Sequence, residues 1–232
     1  MTETNYSMLC DFYELTMGAG YFANGYTDRI TYFDLFFRRC PDGGGFAIAA
    51  GLEQIVQYIQ KLHFDTEDIA YLRERKCFSE DFLNYLANFK FTGDIWAVPE
   101  GTPIFPREPI ITVRAPAIQA QLVETYLLLC VNHQSLIATK AARVCYAAKG
   151  DGIMEFGLRR AQGPDAGIFG ARAAVIGGCA GTSNVLTGQM FDVPVKDIGY
   201  VERQEIDEFK VTEVHLYYKG YCKDCQQKKN SN

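Results

Sequence analysis

The chain has 232 residues, of which 48% are hydrophobic and 22% are charged. A chain of this length and apolar content can bury a substantial core in one or two domains. Its net charge of -5 argues against a nucleic-acid-binding surface, because phosphate backbones demand clustered lysine and arginine. The sequence shows neither a secretory signal nor an apolar run long enough to span a bilayer, so we expect a cytoplasmic protein without a membrane partner.

The first half of the chain mixes helical and strand-like patterns. In chain order they predict a helix over Leu9 to Phe22, a strand within RITYFDLFFRR, a glycine turn over 43–45, and helices over Phe46 to Leu62 and about Ser79 to Asn88. Short β-branched runs between Phe91 and Pro116, separated by glycine and proline, predict short strands and turns. We therefore expect residues 1–115 to form an α+β domain.

The second half alternates apolar strands and helices, as parallel βα structures do. Its pattern predicts a long helix over 118–150, a strand in GIMEFG, a helix from about Pro164 to Ile176, a strand in GGCAGT, and a helix that begins near Asn184. Gly150 is the expected C-cap of the long helix. Since βα proteins bind ligands in the loops after their strands, the loops over 156–167 and 181–184 are the candidate site.

The segment GIMEFGLRRAQGPDAG places two arginines directly after a predicted strand. Phe156 ends the strand, Arg159 and Arg160 follow, and a Gly-Pro turn leads into a helix whose N-terminus suits an anion. The guanidinium group of arginine can donate two parallel hydrogen bonds to a phosphate or a carboxylate. The pattern alone also fits an ordinary loop with a surface arginine pair and Phe156 in the core, so both interpretations stay open.

Two further segments place polar groups where a ligand could bind. In GTSN, residues 181–184, Thr182 and Ser183 offer hydroxyls to a ligand, although either would also serve as a helix N-cap. In SLIATKAAR, Lys140 and Arg143 share one helix face, which suits a pyrophosphate or simply a solvated surface. The sequence contains neither a Walker A nor a G-x-G-x-x-G motif, so it gives no support to an NTPase or a Rossmann dehydrogenase.

Seven segments, in this order, closely resemble nicotinate phosphoribosyltransferases. They are DFYELTMGAGYF, TYFDLFFRRCP with GFAIAAGLEQ after it, EGTPIFPREPIITVRAP, NHQSLIATKAARV, MEFGLRRAQGPDAG, GTSNVL and FDVPV. The resemblance covers about residues 5–196 and implies an α/β fold of the type II phosphoribosyltransferase class. In that fold the α+β domain is followed by a βα barrel, of which residues 116–196 supply the first part. Because a complete barrel needs about 250 residues, we expect an incomplete barrel and a shortened enzyme of impaired activity.

The resemblance implies a reaction that belongs to NAD salvage. Nicotinate and phosphoribosyl pyrophosphate give nicotinate mononucleotide and pyrophosphate, a glycosyl transfer that is formally a ligase reaction because ATP hydrolysis is coupled to it. Mg²⁺ is the expected companion, because it offsets the charge on the departing pyrophosphate. The resemblance also implies a homodimer with its active sites at the subunit interface.

The resemblance assigns roles to named residues. Tyr13, reaching in from the partner subunit, and Phe156 would sandwich the pyridine ring, while Arg159 would meet phosphate oxygens. The expected substrate-binding residues are Tyr13, Phe156, Arg159, Thr182 and Ser183. The expected phosphate-binding residues are Lys140, Arg143 and Arg160.

Ser183 bears on the choice of substrate. Related enzymes that use nicotinamide place an aspartate at the matching position, where it would repel a carboxylate substrate. Two like charges about 4 Å apart cost on the order of 4 kcal/mol at an effective dielectric constant of ~20. A neutral Ser183 therefore favours nicotinate.

The histidine that ATP phosphorylates in this family is missing from its expected place after FDVPV. His63, His133 and His215 do not match that position, so we identify no catalytic residue. Since a transferable phosphate needs an imidazole beside the phosphoribosyl site, we expect that the chain does not couple ATP hydrolysis to nucleotide formation.

Residues 197–232 are denser in charged residues than the preceding chain and are interpreted as an unrelated tail. The stretch FKVTEVHLYYKGYCKDCQ resembles the end of ferric-uptake-regulator-type repressors, which bind structural zinc through two C-x-x-C pairs. Only Cys222 and Cys225 are present, so a zinc site and two free thiols both stay open, and a non-catalytic dimerising or zinc-binding module is the alternative to an enzyme. The six other cysteines lie in apolar patterns and are expected to be buried free thiols: Cys10, Cys40, Cys77, Cys130, Cys145 and Cys179.

Overall fold

The computed structural model describes residues 4–196 of the chain. The helices of this part are α1 (Phe12–Ala23), α2 (Leu52–Lys61), α3 (Thr66–Glu74), α4 (Glu80–Ala87), α5 (Ala117–Leu122), α6 (Glu124–Ala147), α7 (Pro164–Ile176) and α8 (Val185–Phe191). The strands are β1 (Ile30–Leu35), β2 (Ala47–Ile48), β3 (Asp94–Ala97), β4 (Pro103–Ile104), β5 (Ile111–Pro116), β6 (Met154–Glu155) and β7 (Gly181–Thr182). Two 3₁₀ turns lie at Pro41–Gly43 and Leu158–Arg160.

An antiparallel sheet of three strands, in the order β1-β5-β3, covers the first part of the chain. Side chains alternate between its two faces, as the two-residue period of a strand requires. Phe33 and Leu35 of β1 pack against the core, whereas Tyr32 is exposed. The strands predicted between Phe91 and Pro116 are confirmed as β3, β4 and β5.

The second part contains a βαβ unit. Strands β6 and β7 pair in parallel, with Met154 opposite Gly181 and Glu155 opposite Thr182, and α7 connects them. Thr182 also forms a parallel bridge with Val195. The parallel βα arrangement expected for this segment is confirmed, with strands of only two residues each.

The main hydrophobic core joins the sheet to the helices α1 to α6. Its completely buried side chains include Ile55, Phe82, Leu83, Leu86 and Ile118. The first half of α6 contributes to this core, through Tyr126, Leu127, Cys130 and Val131. The second half of α6 packs instead on α7, through small clusters around Ala138, Ala141, Ala173 and Ala174.

Glycine allows α6 and α7 to approach each other closely. A Cβ atom on Gly177, directly after α7, would lie 2.3 Å from the carbonyl oxygen of Ala138. Gly51 is a second such position, because its φ of 107° lies in the left-handed region and a Cβ there would lie 2.7 Å from the carbonyl oxygen of Cys130. Substitution at either position forces neighbouring backbone to move.

Several predicted elements differ from those observed. The helix predicted from Phe46 is wrong at its start, because Ala47–Ile48 is the strand β2, and α3 was not predicted at all. The single helix predicted over 118–150 is two helices that meet at Val123, and its C-cap is Ala148, two residues before Gly150. Helix α7 has the predicted bounds.

Three of the six scattered cysteines are buried as expected: Cys40, Cys130 and Cys179. The expectation is wrong for Cys77, which is exposed. Cys222, Cys225 and the rest of the predicted tail lie outside the described residues. Within residues 4–196, no helix combines the length and the apolar character that crossing a bilayer requires.

Candidate active site

The candidate site lies where β6 and β7 end. Phe156 follows β6, and Ser183 follows β7, so the parallel pairing brings the two loops to the same edge. Phe156 is 37% exposed and belongs to none of the hydrophobic clusters of the described chain. Of the two interpretations that the sequence left open, the structure therefore excludes Phe156 in the core.

Arg159 and Arg160 lie on the 3₁₀ turn directly after Phe156, and both are exposed. Neither forms an ion pair with any carboxylate of residues 4–196. Two adjacent guanidinium groups without a carboxylate partner leave positive charge beside the exposed ring, which suits an anionic ligand.

A cavity of about 400 Å³ lies beside this turn, between α6 and α7. Arg160 lines it together with Glu155 and His133, whereas Phe156 and Arg159 are not among its lining residues. Burial lowers the pKa of His133, which favours its neutral form at pH 7. No sequence pattern connects His133 to the site, because only the packing of α6 on α7 brings it there.

Glu155 connects the two loops. Its carboxylate accepts a hydrogen bond from the Thr182 hydroxyl at 2.7 Å and another from the backbone N–H of Gly157. Its carbonyl oxygen accepts from the backbone N–H of Ser183 at 3.1 Å. A glutamate that ends a two-residue strand carries no recognisable sequence signal, since its partners come from a different strand.

Thr182 and Ser183 are placed differently. Thr182 is completely buried, and its hydroxyl also accepts from the backbone N–H of Asn184 at 3.0 Å. Ser183 is exposed, and no hydrogen bond of its hydroxyl is found within the described part of the chain. The cap of α8 is neither of the two residues considered from the sequence, because the side chain of Asn184 accepts from the backbone N–H of Thr187.

Lys140 and Arg143, expected to hold phosphates, both contact Asp42 in the first 3₁₀ turn. The Lys140 ammonium lies 2.9 Å from the Asp42 carboxylate and the Arg143 guanidinium 3.4 Å from it. Hydrogen bonding from Lys140 lowers the pKa of Asp42 and keeps it ionised. A neighbouring cavity of about 670 Å³ is lined by Asp42 and by the exposed Arg38 and Arg39, which sequence reasoning did not select.

Tyr13 lies on α1, 44% exposed, and its hydroxyl donates to Glu124 at 3.0 Å. Within the described chain it forms no aromatic pair with Phe156. The structure thus brings together the loops of Phe156 and Ser183, and separately the cations of α6 with Asp42, while Tyr13 contacts α6 near its start.

Comparison with known proteins shows the family of the chain. Residues 8–132 match the family model of the nicotinate phosphoribosyltransferase N-terminal domain. The chain belongs to the nicotinate phosphoribosyltransferase family. It is 45% identical over 188 residues to a nicotinate phosphoribosyltransferase of Mycobacterium tuberculosis, covering 81% of this chain and 40% of that protein. It is 43% identical over 193 residues to the enzyme of that name from Bacillus subtilis, covering 83% of this chain and 39% of that protein.

The mixed α/β fold is shared with solved structures. The crystal structure of human nicotinic acid phosphoribosyltransferase matches with a TM-score of 0.77 and 38% identity, over 82% of this chain and 39% of that one. A nicotinate-nucleotide pyrophosphorylase from Pyrococcus furiosus matches with a TM-score of 0.65 and 23% identity, over 87% of this chain and 44% of that one, which shows likeness of fold. The chain thus spans about 40% of the length of these two curated relatives.

Proposed function

We propose that the chain acts as a nicotinate phosphoribosyltransferase that joins nicotinate to phosphoribosyl pyrophosphate. The observation that carries the proposal is the exposed Phe156, next to Arg159 and Arg160, at the end of a parallel strand in a member of this family. The proposal includes a type II barrel of which this chain holds the first part, and a homodimer in which Tyr13 of one subunit meets the site of the other.

The proposed chemistry is a displacement at the anomeric carbon of the ribose. The lone pair of the pyridine nitrogen forms the new bond to that carbon, and the bond to the pyrophosphate oxygen breaks, with its electrons leaving on pyrophosphate. Phe156 would hold the ring by stacking, so that the nitrogen faces the anomeric carbon. Arg159 and Arg160 would bind the phosphate groups and stabilise the leaving charge.

The environment of Ser183 supports nicotinate as the ring substrate. Ser183 is exposed and neutral, and its backbone N–H is already used by Glu155. Its hydroxyl therefore can donate to a carboxylate without a charge penalty. Lys140 and Arg143 would join the phosphate site by exchanging Asp42 for a phosphate oxygen, since all three side chains reach solvent.

Mg²⁺ is expected to bind together with the phosphates of phosphoribosyl pyrophosphate, because this ion is usually held by one or two carboxylates and substrate phosphates and not by an all-protein site. Residues 4–196 contain no group of three or more histidine, cysteine, aspartate or glutamate side chains suited to holding a metal ion.

The proposal is tested by incubating the purified chain with labelled nicotinate and phosphoribosyl pyrophosphate and measuring nicotinate mononucleotide.

Arg159→Ala should lower kcat/KM for phosphoribosyl pyrophosphate at least about tenfold, the loss expected from one charged hydrogen bond. Phe156→Ala should raise KM for nicotinate about threefold to tenfold, and Phe156→Tyr should keep it, because stacking is worth about 0.5–1.5 kcal/mol. Arg75→Ala, at an exposed arginine after α3, is the matched control and should change neither. Absence of product from the unmodified chain contradicts the proposal.

We expect that ATP takes no part in the reaction of this chain. The family's phosphorylated histidine has no counterpart after Val195, so added ATP should leave the rate of product formation unchanged. Incubation with radiolabelled ATP should give no acid-labile, base-stable phosphate on the chain. A histidine-bound phosphate whose formation nicotinate and phosphoribosyl pyrophosphate stimulate would contradict this expectation.

A further inference from the structure

The hydroxyl of Tyr13 is tied to α6 although the ring is open to solvent. It donates to one carboxylate oxygen of Glu124, the first residue of α6, at 3.0 Å. The backbone of Tyr13 is fixed in the first turn of α1. A ring held at both its Cα and its hydroxyl keeps a single orientation, so its faces point in set directions.

Glu124 is itself held in place. Its second carboxylate oxygen accepts from the side-chain amide of Gln121 at 3.3 Å. Gln121 lies in α5 and is only 3% exposed. The carboxylate therefore has one oxygen fixed by a buried neighbour and the other presented to Tyr13.

The next residue on each helix forms a second link. The hydroxyl of Thr125 donates to Glu14 at 2.5 Å, and Glu14 is completely buried. Two successive residues of α1 thus bond to two successive residues of α6. The starts of the two helices are consequently fixed against each other, which keeps the distance between Tyr13 and Glu124 constant.

We infer that Glu124 is a positioning residue, which orients the ring of Tyr13 for stacking on the pyridine ring of the substrate. This inference rests on the proposed function, which gives Tyr13 its place beside the pyridine. Because its hydroxyl is used by Glu124, Tyr13 offers the ligand a ring face and not a hydrogen bond to the nicotinate carboxylate. Partial desolvation, and then the hydrogen bond to Glu124, raise the pKa of Tyr13 to about 12, and the hydroxyl would be protonated at neutral pH even at the ordinary tyrosine value of about 10.

The test is nuclear magnetic resonance of the full chain labelled with ¹³C at the tyrosine Cζ atom, and Tyr13→Phe assigns the Tyr13 signal. Glu124→Ala should shift that signal and lower the pKa of Tyr13 toward the ordinary tyrosine value. It should also weaken nicotinate binding, followed by titration of the same signal, by about threefold and by no more than the roughly tenfold expected for complete loss of a stacked ring. Glu124→Gln should stay within about twofold of the unmodified chain, because an amide oxygen also accepts from the hydroxyl.

Two further variants separate positioning from a general effect on folding. Measured by calorimetry, because these variants lack the Tyr13 signal, Tyr13→Phe with Glu124→Ala should bind nicotinate no more weakly than Tyr13→Phe alone, since both changes remove the same bond. Glu53→Ala, which removes a surface glutamate bonded to Gln57 within α2, should leave the affinity unchanged.

The outcomes are distinguishable. Equal nicotinate affinity in the unmodified chain and in Glu124→Ala, or a Tyr13 signal that ignores Glu124→Ala, overturns the inference while nicotinate binding stands. A Tyr13 signal that does not respond to nicotinate in the unmodified chain, with no binding by calorimetry, overturns the proposed function and this inference with it.

Discussion

At the scale of single residues, Thr182 shows how a buried hydroxyl shapes the site without facing the ligand. It donates to Glu155 and accepts from the backbone of Asn184, so it joins the end of β6 to the start of α8. Sequence reasoning selected it as a substrate ligand because threonine offers a hydroxyl. Its complete burial gives it a structural task that the pattern GTSN cannot reveal, and its proposed contact with substrate stays a prediction.

Replacing Thr182 by valine should lower the free energy of unfolding by about 2 kcal/mol. The change keeps the shape of the side chain but leaves the Asn184 N–H without its acceptor and removes one donor from Glu155, and each unsatisfied buried group costs about 1–3 kcal/mol. Urea unfolding followed by circular dichroism measures the effect. Thr182→Ser, which keeps the hydroxyl, should lose less than half as much, and equal losses in both variants would show that the methyl group matters instead.

At the scale of secondary structure, the long and strongly patterned elements were predictable. Helix α7 follows a Gly-Pro start and has the predicted bounds, and the β-branched runs of β3 and β5 are strands. Strand β2 was not predictable, because its two residues continue the apolar spacing of α2. It forms by antiparallel pairing with β4, with Ala47 opposite Ile104, and the Thr139 hydroxyl on α6 accepts from the backbone N–H of Ile48.

Only part of the candidate site could be predicted from the sequence. Phe156, the arginine pair and the GTSN loop follow predicted strands, so their common edge was predictable. The pairing of Lys140 with Asp42 was not, because these residues lie 98 positions apart, as their numbers show, and meet only through the packing of α6.

Helix α3 was overlooked although its N-terminus carries a capping box. Asp65 accepts from the backbone N–H of Asp68 at 2.9 Å, and the Asp68 side chain accepts from the backbone N–H of Asp65 at 3.0 Å. Asp65→Ala should lower the free energy of unfolding by about 1 kcal/mol, the usual loss of an N-cap. Asp65→Asn keeps an acceptor and should stay within about 0.5 kcal/mol of the unmodified chain in the same urea experiment. An alanine variant as stable as the asparagine variant would mean that the cap contributes nothing here.

At the scale of the whole described chain, one network connects the first part to the βα unit. Glu100, in the turn before β4, forms a two-point ion pair with Arg172 of α7, at 2.9 and 2.6 Å. It also accepts from the backbone N–H groups of Gly51 and Leu52, at the start of α2. Arg172 continues the network to Gln134 of α6 at 3.4 Å. A single carboxylate therefore stabilises the start of α2 and holds α7 against it.

This network predicts how stability depends on pH. Burial alone would raise the pKa of Glu100, but the hydrogen bonds and charge of Arg172 and the two backbone N–H groups outweigh it, so the pKa lies below its ordinary value. A carboxylate with a lowered pKa in the folded state contributes stability that is complete above its unfolded pKa of about 4.3 and is lost as the pH falls through its folded pKa. At pH 7, Glu100→Gln should lower the free energy of unfolding by about 3 kcal/mol, the lower end for a broken buried pair, because the side chains of Arg172 and Glu100 are 14% and 19% exposed. The difference between the two proteins should shrink below about pH 4, where Glu100 of the unmodified chain also loses its charge.

Glu74→Gln, in a solvent-exposed pair with Arg75 at 4.0 Å, should change stability by less than about 0.5 kcal/mol at any pH. Urea unfolding of the three proteins between pH 3 and 8 measures these free energies of unfolding. If Glu100→Gln stays less stable than the unmodified chain by the same amount in acid, the glutamate acts through packing and not through its charge.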